Sequence, residues 1–207
     1  MKVAVTPRGT HFSKALNTSH YYRMVMKALG LLGGTFDRFH KGHRKLLETG
    51  LSECQNLEIW MTSDNLAKSK DPRIESWDDR KELIVNSLVG DVRERISFHV
   101  LEDLYGPATI REDVQAIVCT PETVDNCKKI NSLRLENSLA PLHIVIAEHE
   151  LDWMGRPISS TNIRRGIMDR EGCPWLHKEI GLFDLILNED VELSLKTPFG
   201  QLIEGDE

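Results

Sequence analysis

The chain has no apolar run near 18 residues, so nothing in it reads as a membrane span. Its start lacks the apolar core of a secretory signal. Its four cysteines, Cys54, Cys119, Cys127 and Cys173, are scattered and show no Cys-x-x-Cys spacing. Free thiols without a secretory signal imply a reducing, cytoplasmic setting. Cys119, inside an apolar run, reads as a small core residue. There is no internal repeat and no low-complexity segment. Excess positive charge is also missing: 26 Lys and Arg against 32 Asp and Glu give a net charge of −6. That excludes a general nucleic-acid surface but leaves local basic sites for small anions.

Acids are absent from residues 1–36, which hold Lys2, Arg8, Lys14, Arg23 and Lys27. A basic, acid-free start with Ser and Thr reads as a transit segment or, more simply, as a short basic extension over 1–25. Residues 178–207 hold eight acids against two lysines. The chain thus divides into that basic extension, a domain over 26–172 and an acidic extension over 173–207.

Within the domain, short apolar runs alternate with amphipathic ones. Strands are expected at 26–34, 57–63, 95–101, 116–120 and 142–148. Helices are expected at 41–54, 76–88 with Ser76 as N-cap, 121–138 opened by Pro121, and 159–170. This alternation implies parallel crossovers, hence an α/β fold with a doubly wound, five-stranded parallel sheet. Such sheets bind ligands at the carboxyl ends of their strands, where the winding reverses.

"GGTFDRFHKGH", residues 33–43, falls at such an end. His40 and His43 lie three apart at a helix start, which puts both rings on one face. The helix N-terminus offers unpaired amides and partial positive charge. Gly33 and Gly34 admit a bulky group close to the backbone, and Thr35 adds a hydroxyl. Together these suit a solvent-facing phosphate cradle with ring N–H donors. A metal-binding pair and an accidental pairing are the alternatives; no cysteine or third histidine lies nearby to support the metal.

"RPISSTNIRRG", 156–166, is the second constellation. Ser159, Ser160 and Thr161 at a helix start can cap it and leave amides for an anion. Arg164 or Arg165 can fork onto phosphate. Alone, the segment also fits a well-capped surface helix. Lys68 and Lys70, in a polar loop after the second strand, can reach a substrate phosphate, with Lys68 favoured.

"HKGH" and "ISSTNIR" together resemble the two signatures of the HxGH nucleotidylyltransferase superfamily. "GGTFDRFHKGHRKLL", "TSDNLAKSK", "LEDLYGPA", "TPETVDNCKKIN" and "GRPISSTNIRRG" resemble phosphopantetheine adenylyltransferases of the archaeal and eukaryotic type. The likeness covers roughly residues 27–170. Bacterial enzymes of that activity usually carry Thr at the position of His40. The resemblance implies a Rossmann-like nucleotidylyltransferase fold and transfer of AMP from ATP to 4′-phosphopantetheine, with Mg²⁺ as cofactor and no protein metal ligands.

It further implies that His40 and His43 hold the α-phosphate and that Thr35 aligns the acceptor phosphate. Ser159, Ser160, Thr161 and Arg164 would hold the outer phosphates, and Lys68 or Lys70 the acceptor. Gly33, Gly34, Phe36 and Thr120 would help bind nucleotide or substrate. Lys41 departs from the family's usual small polar residue and adds positive charge. The tail 188–207 faintly resembles the start of a dephospho-coenzyme A kinase, suggesting a fused second domain or a functional link. The alternatives are a sister transferase acting on a mononucleotide or phospho-alcohol, and an inactive nucleotide-sensing module.

Overall fold

Five parallel strands form one sheet in the order β3-β2-β1-β4-β5. They are β1 (Lys27–Gly34), β2 (Cys54–Thr62), β3 (Ile96–Leu101), β4 (Ala116–Cys119) and β5 (His143–Ile146). The helices are α1 (Lys41–Glu53), α2 (Asp64–Lys68), α3 (Trp77–Ser87), α4 (Val124–Glu136) and α5 (Ser160–Arg164). The computed structural model describes residues 26–174, so the basic extension and nearly all of the acidic one lie outside the described residues. No helix among them is long and apolar enough to cross a membrane. The winding reverses between β1 and β4, as the alternating pattern predicts.

Side chains alternate across the strands. On one face Leu32, Ile59, Met61 and Val118 pack with Leu46 and Leu47 of α1 and Ile84 of α3. On the other, Leu31, Ile117 and Cys119 pack with Cys127 and Ile130 of α4. All four residues of β4 are buried, which explains its unbroken apolar reading.

β2 begins at Cys54, earlier than the expected 57, and α1 runs into it without a loop. Arg95 makes that junction possible. Its guanidinium donates to the carbonyls of Leu51, Cys54 and Gln55 at 2.6, 2.7 and 2.8 Å, satisfying acceptors the ended helix leaves open. Gly30 makes room beside it: a Cβ there would meet Cys54 Sγ at 2.5 Å.

Ser76 caps α3, accepting from the Asp79 amide. The helix expected from Pro121 starts instead at Val124. Thr123 holds residues 120–123 in a turn, its hydroxyl accepting from the Thr120 amide at 3.2 Å. The last helix stops at Arg164 rather than 170. Gly166, at φ 68°, ends it with bonds from Gly166 N–H to Ile163 O and from Ile167 N–H to Asn162 O.

Arg80 of α3 is fully buried and ties the carboxyl ends of the neighbouring strands β1 and β2 together. It donates to Thr35 O at 2.7 Å, Thr62 O at 2.9 Å and Glu75 O at 2.9 Å, and meets Asp64 at 3.2 Å. Arg80→Met would strand these carbonyls in the interior. It is expected to cost about 3 kcal/mol in urea unfolding with an unchanged m-value; a loss below about 1 kcal/mol would show the clamp to be dispensable.

Candidate active site

The loop after β1 is strained where it must be tight. Phe36 (φ 56°) and Arg38 (φ 50°) are both left-handed without being glycine. Between them Asp37 is buried, and its carboxylate fixes the turn by accepting from the Glu75 amide at 3.0 Å. Arg38 is held by Glu75 through both its amide (3.0 Å) and its guanidinium (2.9 Å). Gly34 exists for Phe36: a Cβ there would lie 2.9 Å from the ring.

α1 starts directly after this loop with His40 as N-cap and no side chain capping it. The amides of Gly42 and His43 therefore have no acceptor within the helix. The rings of His40 and His43 stack at 3.8 Å between centroids, and His43 also meets Phe39 at 5.7 Å and Phe36 at 5.3 Å. Gly42 leaves the space that His40 fills, since a Cβ would sit 3.1 Å from that ring.

His40 does not face solvent as expected, being only 4% exposed, and His43 is half-buried. Burial is the main cause that lowers the His40 pKa to about 4, with Arg44 adding to it. Burial likewise holds His43 well below the ordinary histidine range, with His40 next. Both rings are neutral near pH 7, and Nδ1 of each is buried without a partner. Orphaned buried nitrogens are rare in folded chains and call for a partner from outside the chain, a water or a ligand.

The second signature packs against the first. Ser160 Oγ donates to Asp37 O at 2.7 Å, and the Lys41 amide donates to Arg170 O at 2.9 Å. Ser159 caps α5, accepting from the Asn162 amide. Arg164 is less free than the sequence suggests: it is clamped by Asp37 and by Asp71, the latter at 3.2 Å, and it also donates to Thr161 Oγ1 at 3.3 Å. Lys41 pairs with Glu150 at 2.8 Å, so the positive charge it adds is matched. Asp37 and Asp71 were missed in sequence; the only signal was an aspartate inside a glycine-opened loop.

On the other side of Gly33, Gly34 and Thr35 lies a cavity of about 410 Å³ between β1, β4 and α4. Its wall is mostly apolar, with Leu31, Trp60, Leu101, Tyr105 and Ile130, and Lys70 at its edge. Lys68, favoured from sequence, ends helix α2 instead of lying in a loop and does not line the cavity. Thr120 also stands outside the wall, which Cys119 and Thr123 form. The Phe36 ring is buried beneath His43 and can offer a nucleotide only its backbone. Among the described residues no group of three or more His, Cys, Asp or Glu is placed to hold a metal ion.

The cytidylyltransferase-like family model matches residues 31–166. A phosphopantetheine adenylyltransferase of Methanothermobacter thermautotrophicus is 37% identical over 148 residues, 70% of this chain and 88% of that protein. One from Methanosarcina barkeri is 36% identical over 145 residues, 68% of this chain and 89% of that protein. The chain belongs to the phosphopantetheine adenylyltransferases of the cytidylyltransferase-like family. A relative in Thermoplasma volcanium, named a bifunctional phosphopantetheine adenylyltransferase/NTP phosphatase, is 31% identical over 195 residues, 83% of this chain. The match spans only 59% of that longer protein. The crystal structure of a protein of unknown function from Archaeoglobus fulgidus shares the fold, with a TM-score of 0.50, 24% identity and coverage of 59% of this chain and 99% of that one.

The depressed histidines of this family member make its stability depend on pH. The unfolded chain protonates His40 near pH 6.5, which the folded chain refuses until about pH 4, and His43 is shifted in the same direction. Stability is therefore full above pH 6.5 and falls as pH drops towards 4. A His40→Gln/His43→Gln double variant is expected to show a flatter fall in urea midpoint across that window. An unchanged slope would mean the pair is not the sensor.

Proposed function

We propose that this chain transfers AMP from ATP to 4′-phosphopantetheine, giving dephospho-coenzyme A and pyrophosphate. The observation that carries the proposal is the position of the Gly33–Thr35 segment. It lines the apolar cavity and runs straight on into the loop that ends at His40 and the start of α1, so an acceptor phosphate at the cavity and an α-phosphate at the histidine pair would be handled by one continuous stretch of chain. A long, thin acceptor arm suits the apolar wall better than a second nucleotide does.

The nucleophile is already an anionic phosphate, so no base is needed. Neutral His40 and His43, poor bases at pH 7, are suited to donate ring N–H bonds to the α-phosphate and leaving oxygens as charge grows there. Thr35 and Lys70 orient the acceptor phosphate at the cavity mouth. The first-turn amides beside Ser159, Ser160 and Thr161 receive the outer phosphates. Arg164, held by its carboxylates, turns the rest of its fork to the same oxygens. Asp37 and Asp71 are committed to arginines, so phosphates and water would hold a Mg²⁺ arriving with ATP, and that ion would neutralise charge along the triphosphate.

Purified chain incubated with ATP and Mg²⁺ is expected to release pyrophosphate with 4′-phosphopantetheine and not with nicotinamide mononucleotide, riboflavin phosphate or a phospho-alcohol. Release with one of these instead would assign a sister transferase, and tight ATP binding without turnover a sensor. His43→Ala is expected to lower turnover by ~10²–10³, the scale of one lost transition-state donor. A near-normal rate would remove His43 from the chemistry.

Lys70→Ala is expected to raise the acceptor KM severalfold, roughly 1 kcal/mol, with Lys68→Ala near neutral. The reverse ranking would restore Lys68 as the acceptor lysine.

A further inference from the structure

Cys119 ends β4 and Cys127 lies on α4, and the fold closes the gap that made them look scattered in sequence. Both side chains line the apolar cavity, and their thiols are in hydrogen-bond contact. The other two cysteines differ: Cys54 is packed against the opposite face of the sheet, and Cys173 is exposed. Cys119 and Cys127 are 3% and 5% exposed, so a reagent reaches them only through the cavity, and only if it is slender. We propose that Cys119 and Cys127 form a dithiol that reacts with low-molecular-weight disulfides entering the cavity and closes to an intramolecular disulfide.

The chemistry balances with the disulfide as oxidant. Cys119 gives up its proton to solvent, and its sulfur attacks the small disulfide. One S–S bond forms as another breaks, and the first small thiolate leaves and takes up a proton. Cys127 then attacks the Cys119 sulfur of the mixed disulfide and expels the second small thiol. The sum is two protein thiols oxidised and one disulfide reduced to two thiols. Cys119 is the attacking partner because the Cys127 S–H donates to it, which favours its thiolate. Cys127, the donor, is held in its thiol form until the mixed disulfide forms. Closure fastens the wall of the cavity to the end of β4. The consequence for acceptor binding rests on the function proposed above; the exchange itself does not. The proposed acceptor arm ends in a thiol, so its oxidised dimer belongs to the reactive class.

The test uses the full chain carrying Cys173→Ser, exposed to the symmetrical disulfide of pantetheine, with remaining thiols alkylated after unfolding and mapped by mass. The expected product is lighter by two hydrogens, links the peptides of Cys119 and Cys127, and leaves Cys54 alkylated. Cys127→Ser is expected to trap one pantetheine on Cys119, whereas Cys119→Ser leaves Cys127 unmodified. Modification of Cys54 alongside the pair, trapping on Cys127 instead, or no reaction while Cys173 of the unsubstituted chain is consumed would each overturn the proposal.

In the transfer assay, the cross-linked chain is expected to show an acceptor KM raised about tenfold or more, reversed by reductant, with ATP affinity held. An unchanged KM in a cross-linked, active chain would overturn the blocking step. Cross-linking in a chain that transfers to no acceptor would sink the transferase reading while leaving the dithiol standing.

Discussion

The buried ion pair between Asp37 and Arg164 joins the two halves of the site, which lie far apart in the chain. The Asp37 and Arg164 side chains are 2% and 8% exposed, so neither charge has water to fall back on. Removing either partner would leave the other uncompensated, which typically costs 3–5 kcal/mol, roughly the scale of a domain's whole margin. The pair also sets geometry. It pins the strained Phe36–Arg38 turn from one side while α5 is drawn in from the other. Asp71 holds Arg164 a second time, and Arg73 keeps the Asp71 carboxyl well below the usual carboxylate range through hydrogen bonds to it. The result is a rigid corner on which the amino end of α1 rests.

That corner divides labour between charge and hydrogen bonding. The histidines sit where burial keeps them neutral, so they can orient and donate without bringing net charge into the interior. Positive charge comes from arginines whose ionisation burial cannot readily reverse. A site organised this way stabilises growing negative charge on phosphate oxygens and has little use for proton transfer. This is the division that attack by an already anionic phosphate requires.

Much of this was legible in the chain. The glycine-ended apolar run, the histidine pair at a helix start and the hydroxyl-rich second tip gave the strand order's reversal and both edges of the site. What stayed hidden has a common cause: side chains acting on backbone atoms distant in sequence. Arg80, Arg95 and Arg134 look like ordinary surface charges in the one-letter string. Yet Arg134 is 1% exposed and donates only to carbonyls, those of Ala108, Arg111 and Ala140. No local pattern distinguishes an arginine that will be buried as a carbonyl clamp from one that will be solvated. The early start of β2 was missed for the same reason, since Arg95 supplies what a loop otherwise would. The end of α5 was readable, by contrast, because Gly166 stands just past the helix's last residue and its cap, a local signal that the longer expectation overlooked.

The glycines separate what the protein needs for itself from what it keeps open for something else. Gly30, Gly34 and Gly42 are each explained by a neighbour in the chain: Cys54, the Phe36 ring and the His40 ring. Gly33 is different. A Cβ there would find only Leu101, at an ordinary 3.9 Å, so packing does not forbid a side chain. Its φ does not require glycine either, since it is not among the positive-φ positions. Folding gains nothing from glycine at that point and loses some strand propensity to it. Gly33 lines the cavity, where a Cβ would take up room that a ligand could use. The residue the fold can least account for thus stands where two reacting phosphates would have to come together.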